Sequence, residues 1–592
     1  MSVSLVAKIL AGVFSVTTFA LLLRLLRPVN RRRIVDVLVV GSIGWLIVSK
    51  SMNRQPEPEA PAFAWAVDLT PIKEIAVQNV GRIKSFDSVA RTQVRAITGG
   101  KRMAGQEPAF TFLDMMFRPQ AYAEAECVYI KKKPVRDQIR MELAEVTDTD
   151  PVALKRMMKT GLFPPALLNL PAIQSLLDRL ELDAMRTARP VNALRGALAR
   201  LRPEVLESFL KVIPPVRGDL KAPWHTVSEL AQTGVADLDN QTRTRVTNRW
   251  QALADAWQRM DAAAVNENAR RFAELARSIN PVVYPDIDRL RLENWYFRWY
   301  GMTWIWIFYL AAIVPLLMAS IYHWRWARWI GVVMWVGAFA LHTLSLRLRW
   351  YISGRIPNSN MFEAITAATW LAGVIAIVLE LVARKTPMRN MFFLGGAVAG
   401  MAAMMCSHYM PVTLSPDIEN IMPILHDVWL YIHTNVIILS YGLIAMAAVT
   451  ALLYLRYRLG GGGKEFASIG GAGSLIMSRA GRGFLRSGKV TSGQVLDGAT
   501  MVLMELSFVM LWTGLVMGAI WADHSWGRPW GWDPKEVFAL NTFIVFLVLV
   551  HVRFKVRDKG LWTAVLAVVG CGVMLFNWIV INFFISGLHS YA

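Results

Sequence analysis

Cysteine is almost absent. Three residues, Cys127, Cys406 and Cys571, are scattered over 592 positions. No CxxC pair, zinc spacing or CxxCH heme-attachment motif can be written from them, which excludes a disulfide scaffold, a thiol-exchange centre and a c-type cytochrome. Charge is scarce too, at 18% against 54% hydrophobic residues. That balance is far from a soluble average, and the apolar residues are gathered into long runs, so a membrane-spanning chain is expected. Acidic residues are the scarcer sign, 43 against 64 basic ones, for a net charge of +21. The excess Lys and Arg fall in short connections between apolar runs, where they orient helices in a bilayer, and no nucleic-acid partner is expected.

The length exceeds one ordinary domain, and at least two units are expected. Two apolar runs, about 3–26 and 34–50, flank the basic Arg24, Arg27, Arg31, Arg32 and Arg33. That joint reads as cytoplasmic, and the first run, lacking a small-residue cleavage site, reads as a retained anchor. Residues 51–299 then fall on the outer face. After the Pro/Glu-rich linker Gln55–Pro61, stretches such as 166–201 and 249–278 carry apolar residues at helical spacing, which predicts a mainly helical outer soluble domain. Its Asp114-Met115-Met116-Phe117 and Cys127 read as helix packing around a buried thiol.

From residue 300 on, apolar runs recur at about 303–321, 328–346, 361–383, 391–409, 427–455, 499–521, 537–552 and 561–586. Most reach the roughly 20 residues a bilayer requires. The fold class expected is an all-α polytopic membrane protein of about ten transmembrane helices, two N-terminal and eight in a C-terminal bundle (300–592), with the helical outer domain between. The connections at 323–328, 384–389, 456–489 and 553–559 are basic and fall on one side. Those at 347–360, 409–425 and 522–536, with the C-terminal tail, fall on the other. The 347–360 connection is an exception, carrying Arg347, Arg349 and Arg355 outside. The Gly-rich stretch 460–492 reads as a flexible cytoplasmic connector.

The most informative stretch is Trp521-Ala-Asp-His-Ser-Trp526-Gly-Arg-Pro-Trp530-Gly-Trp532-Asp533-Pro-Lys-Glu536. Tryptophan commonly anchors a membrane interface. Four indoles set among Gly527, Pro529, Gly531 and Pro534 instead suggest a rigid, flat, apolar floor suited to a porphyrin face. A porphyrin iron takes neutral imidazole ligands. On the topology above, His433 and His589 lie at the level of the Trp loop and are the candidate axial pair, although a lone His at a helix end is more often an interfacial side chain. Arg528 and Lys535 are candidates to pair with propionates, and Asp533 reads as an acceptor of hydrogen bonds that fix the loop. His551, at the basic end of its helix, is the candidate ligand of a second, inner heme, with His323 a candidate partner at the same depth. His342 lies about 22 Å from that end at 1.5 Å per residue, too far to share the iron.

The run Trp526–Glu536 resembles the WWD signature of heme-handling proteins. The neighbouring motifs Arg349–Glu363, Trp429-Leu-Tyr-Ile-His433 and Gly587-Leu-His589-Ser-Tyr591 resemble the cytochrome c synthase branch of CcsA or ResC type (System II cytochrome c biogenesis), over about half the chain. That resemblance implies that positions matching His433 and His589 ligate an external heme and that His551 is linked to an inner heme on its way out. It further implies that heme b, as substrate, is joined through thioether bonds to the CxxCH cysteines of an apocytochrome c in the bacterial inner (cytoplasmic) membrane. The Gly81–Arg91 stretch is similar to outer extensions in some bacterial members. Two departures stand out. The N-terminal runs contain no His, which implies a separate ResB/CcsB-like subunit, and 58–299 does not read as the β-rich ResB outer domain. Heme export without ligation, or b-type electron transfer, are the alternative readings.

Overall fold

The computed structural model describes residues 60–581, apart from 101–102, 104, 184–185, 217–221, 233–237, 387, 412–413, 421–426 and 469–489, and also residue 585. The two N-terminal runs expected to span the membrane, and His589, lie outside the described residues. The described chain is an all-α polytopic membrane protein, with β-structure limited to two two-stranded antiparallel sheets and two isolated bridges. It divides into two compact units.

One unit is Glu57–Gly301 together with Asp417–Asn420. Its helices have one apolar face, and Phe86, Phe112, Phe163, Trp257 and Phe272 fill the common core. Asp114, buried there, accepts from Trp257 Nε1 and from Tyr122 Oη, each at 2.8 Å, so its charge is partnered by donors. Cys127 is fully buried, and burial pushes its thiol up to about 12. The Gly81–Arg91 motif opens on an antiparallel hairpin, β1 (Ala76–Asn79) and β2 (Arg82–Ser85). Its two-residue turn, Val80-Gly81, has φ of 48° and 70°, the positive values a tight hairpin needs to match strand twist. Ser85 then caps the helix Phe86–Thr98. Within this unit Arg82 pairs with buried Glu293 at 3.3 Å and donates to Ile418 O at 3.1 Å, and Arg95 pairs with Asp417. The motif grips 417–420, a stretch about 120 residues away from the rest of its unit in sequence.

The other unit holds eight helices long and apolar enough to cross a membrane. We label them α1 (Trp306–Tyr322), α2 (Arg325–Ser353), α3 (Met361–Ala383), α4 (Met391–Tyr409), α5 (Val428–Leu459), α6 (Ser492–Trp526), α7 (Pro534–Lys555) and α8 (Lys559–Phe576). All eight expected runs are helices, several longer than the apolar run suggests, because helix propensity and caps carry them into polar sequence. Side-chain caps open five of them: Asn360, Asp427, Thr491, Asp533 and Asp558. In packing, α1–α4 and α5–α8 form two groups joined through α5, which lies against α3 and α4 as well as α6 and α8.

The basic ends of α5–α8 are tied together by polar pairs. Arg553 is buried and holds Asp497 at 2.8 and 2.6 Å, donates to Thr563 Oγ1 at 2.6 Å and reaches Ala467 O. Ala467 N donates back to Asp497 at 2.7 Å. Arg458 and Asp558 pair at 2.8 Å. Tyr454 and Tyr457 hold Glu465 at 2.6 and 2.7 Å. The start of the expected flexible connector is therefore fastened: residues 465–467 are bound to helix ends, and residues 469–489 lie outside the described part.

Candidate functional site

The Trp-rich end is built from the last turns of α6, a short loop and the first turn of α7. The stretch read as one loop from Trp521 to Glu536 is divided: Trp521 and Trp526 are on α6, and the loop proper is 527–533. At 35 residues α6 is about 52 Å long, well beyond a hydrocarbon core of about 30 Å, so it continues past the apolar depth and carries these two indoles with it. Gly527, at φ 68°, ends it as a left-handed cap, with its N–H on Asp523 O at 2.8 Å.

The Trp532-Asp-Pro-Lys-Glu536 motif is a helix start. Asp533 accepts from Lys535 N at 3.1 Å, Pro534 occupies the first helical position, and Glu536 reaches back to Gly531 N at 2.8 Å and Asp533 N at 3.1 Å. This reciprocal capping box is the loop-fixing role expected of Asp533. Trp532, just before this cap, stands at φ 55° with its side chain 73% exposed. The indoles do not form the expected flat floor. Trp521 is buried, Trp521 and Trp526 stand at 66°, and Trp530 and Trp532 at 86°, edge to face as the ring quadrupole prefers. The surface they offer is a set of rims and faces around the loop. Arg528 is exposed on it, and Lys535 is half-buried in the first turn of α7.

His433 lies on α5 against α6. Its Nδ1 is 2.7 Å from Gly514 O. A carbonyl only accepts, so the proton is on Nδ1 and the lone pair on Nε2, a tautomer able to ligate a metal through Nε2. Its helix is joined to the neighbouring surface at two further points. Trp429, one turn earlier, meets His524 edge to face at 6.4 Å, and His524 Nδ1 lies 3.7 Å from Asp427, the cap of α5. Asn358 Nδ2, in the α2–α3 connection, lies 3.3 Å from Thr434 Oγ1. His433 and the Trp-bearing end of α6 are thus brought together.

The basic stretch 347–360 remains an exception to the charge pattern, although two of its three arginines share one buried carboxylate. Arg349 holds Glu363 at 2.8 Å and Pro416 O at 2.7 Å, and Arg355 takes the other carboxylate oxygen at 2.8 Å. Glu363 is fully buried and also accepts from Ser359 N at 2.7 Å. Its cap at Asn360, three residues earlier, is the one sequence sign of this arrangement.

The other histidines are elsewhere. His551 is exposed on α7 and donates from Nδ1 to Leu547 O of its own helix at 2.7 Å, which again puts the lone pair on Nε2. His323 is exposed at the left-handed C-cap of α1. α1 packs on α2 and α4, whereas α7 packs on α6 and α8. His342 is fully buried and bonded to Tyr309 Oη at 3.2 Å, a core histidine within the α1–α4 group. His408 bonds Thr303 at 2.9 Å. Sequence reasoning missed Gly514, Gly518, Glu363 and His524. The small-x-x-x-small spacing of the two glycines was the available signal.

Residues 358–589 match the family described as cytochrome C assembly protein. The chain is 32% identical over 274 residues to a cytochrome c biogenesis protein CcsA of Parasynechococcus marenigrum, an overlap of 44% of this chain and 87% of that protein. It is 30% identical over 325 residues to the CcsA of Gloeobacter violaceus, covering 48% and 94%, and 28% identical over 270 residues to that of Porphyra purpurea, covering 42% and 82%. Joined to the eight-helix unit and its Trp-rich end, these likenesses identify the chain as a member of the cytochrome c assembly family, a multi-pass membrane protein of CcsA type acting in cytochrome c biogenesis.

Proposed function

We propose that this chain presents heme b, as substrate, at its Trp-rich end and joins it to the CxxCH cysteines of an apocytochrome c. The observation that carries this is the seat of His433: its Nδ1–H is bonded to Gly514 on the same helix that ends in Trp521 and Trp526, so an imidazole of ligating tautomer and an aromatic surface share one support. The donor set suits the porphyrin. His433, with His589 as second axial ligand, would hold the iron; Trp526, Trp530 and Trp532 would contact the ring; Arg528 and Lys535 would meet the propionates. Asp533 keeps the loop in place.

The reaction is addition of a thiol across each vinyl group. A C–S bond forms at the inner vinyl carbon, the S–H hydrogen goes to the terminal carbon, and no electrons leave the pair. The chain's contribution is placement. Holding vinyls and thiols in near-attack geometry is worth about 7–11 kcal/mol at its upper range. The client's own CxxCH histidine would then replace one protein imidazole, which lets the product go.

His551 is read as the ligand of heme arriving from the opposite side. Its exposure on α7 suits an imidazole supplied across an interface by a ResB-like subunit, with His323 the alternative within the chain. The reading sets the Trp-rich end and the 51–299 domain outside the bacterial inner membrane, in line with the basic ends of α5–α8 on the opposite side.

Coexpression with a CxxCH apocytochrome tests the proposal. Thioether-bound heme, detected as heme that stays with the client through denaturing electrophoresis, is expected from the native chain and lost in His433→Gly and His589→Gly. Heme bound to this chain with no thioether product would instead make it an exporter.

A further inference from the structure

We propose that Gly518 is a positioning residue for the iron ligand, acting by keeping open the place in which the His433 ring lies; this rests on the reading of His433 as that ligand. In an α-helix each Cα–Cβ bond leans toward the N-terminus, so the side chain at one position lies over the carbonyl four residues earlier. The carbonyl four residues before Gly518 is that of Gly514, the acceptor of the His433 Nδ1–H. A Cβ at position 518 would stand 2.6 Å from His433 Cε1 and 2.7 Å from Nδ1, inside the contact distance of any real methyl group. The imidazole therefore occupies the volume that every other residue at 518 would fill.

The Gly514 carbonyl has a second lone pair beyond the one used inside the helix, and the His433 Nδ1–H meets this carbonyl beside the bare Cα of Gly518. The pairing extends one turn further: Ile437, four residues after His433, packs on the bare Cα of Gly514. Two residues four apart on α5 thus face two glycines four apart on α6, the close approach that small residues permit between membrane helices. The outcome is not packing alone. The hydrogen bond selects the tautomer with its lone pair on Nε2 and turns the ring about a fixed acceptor, and such a bond behind a ligating imidazole raises its basicity and tunes the iron. The helix that sets the imidazole is the one that ends in Trp521 and Trp526, so ligand direction and aromatic surface have a common reference.

The test is a comparison of helix glycines in the full chain, purified with its bound heme. Gly518→Ala is expected to lower the heme population that depends on His433 at least fivefold and to shift the Soret band and midpoint potential of what remains. Gly442→Ala, whose added methyl would meet the Cβ of Ala372 at 2.9 Å, is expected to lower thermal stability with the heme spectrum intact; Gly572→Ala, with nothing within 4 Å, is expected to do neither. If Gly518→Ala keeps native occupancy, spectrum and potential, or changes them no more than Gly442→Ala, the proposal is overturned. A second pair covers a Gly518→Ala chain that does not accumulate, because removing the ring relieves the clash. Free imidazole should restore heme to His433→Gly and fail to restore it to His433→Gly/Gly518→Ala; equal rescue of both overturns the proposal. Full heme in His433→Gly without imidazole would sink the ligand reading itself, and this proposal with it.

Discussion

The two ends of the α5–α8 group are finished in opposite ways. At the basic end, Arg553, Asp497, Arg458, Asp558 and Glu465 are tied to one another or to backbone, so that charge and carbonyl alike are answered. At the Trp-rich end the buried polar cluster belongs to the neighbouring α1–α4 group, where Arg349 and Arg355 share Glu363, while Arg528 stays exposed on the loop. Trp532 is exposed on the loop between α6 and α7, as Phe554 and Trp562 are at the basic end, but Trp532 alone of the three stands at positive φ. Aromatic rings at headgroup level anchor a helix end, but holding the backbone of Trp532 at positive φ is a cost. One end is a closure that holds helices together. The other ends in a short loop that holds Trp532 exposed.

Substitutions can break this contrast, beginning with the largest effect. Arg553→Ala leaves the Asp497 carboxylate buried without its cation, and a loss of about 3–5 kcal/mol is expected in denaturation measured in detergent, with the heme spectrum of the remaining folded protein unchanged. Trp532→Gly should do the reverse. Glycine takes φ 55° without penalty, so stability is expected to hold or rise by about 1 kcal/mol while heme retained on purification falls several-fold. A fall in melting temperature alongside the heme loss would mean that Trp532 is structural. Asp533→Ala removes the cap of α7 and is expected to cost about 1 kcal/mol and to weaken heme retention less than Trp532→Gly does. Cys127 lies in neither end. Buried and held protonated by burial, with its pKa at about 12, it should resist iodoacetamide in the native protein, and Cys127→Ala should leave cytochrome c output unchanged.

Much of this was readable in the residues. Long apolar runs predict all eight helices, since length and hydropathy are properties of one segment at a time. The Asp533-to-Glu536 spacing is equally local, and the role of Asp533 follows from it. What was not legible depends on partners far apart in the chain. Arg349 and Arg355 share the single carboxylate of Glu363, which offsets part, not all, of the positive charge that departs from the charge pattern. His433 acquires its tautomer from a carbonyl 81 residues away. Residues 417–420 belong to a unit whose remainder ends at Gly301. The expected flat floor failed for a different reason: Gly527, Pro529 and Gly531 fall in the loop as read, but Pro534 opens α7, α6 runs through Trp521 and Trp526 before the first of them, and ring electrostatics favours crossed over coplanar indoles.

The loop 527–533 is fastened at each margin, by the Gly527 N–H on Asp523 at the close of α6 and by the Asp533–Glu536 reciprocal bonds at the opening of α7. A segment so short and so anchored has few conformations to give up. An arriving macrocycle would not have to gather its aromatic contacts from a wandering chain, and its arrival rate would be governed by how it gains access to the rim rather than by any rearrangement of the rim around it.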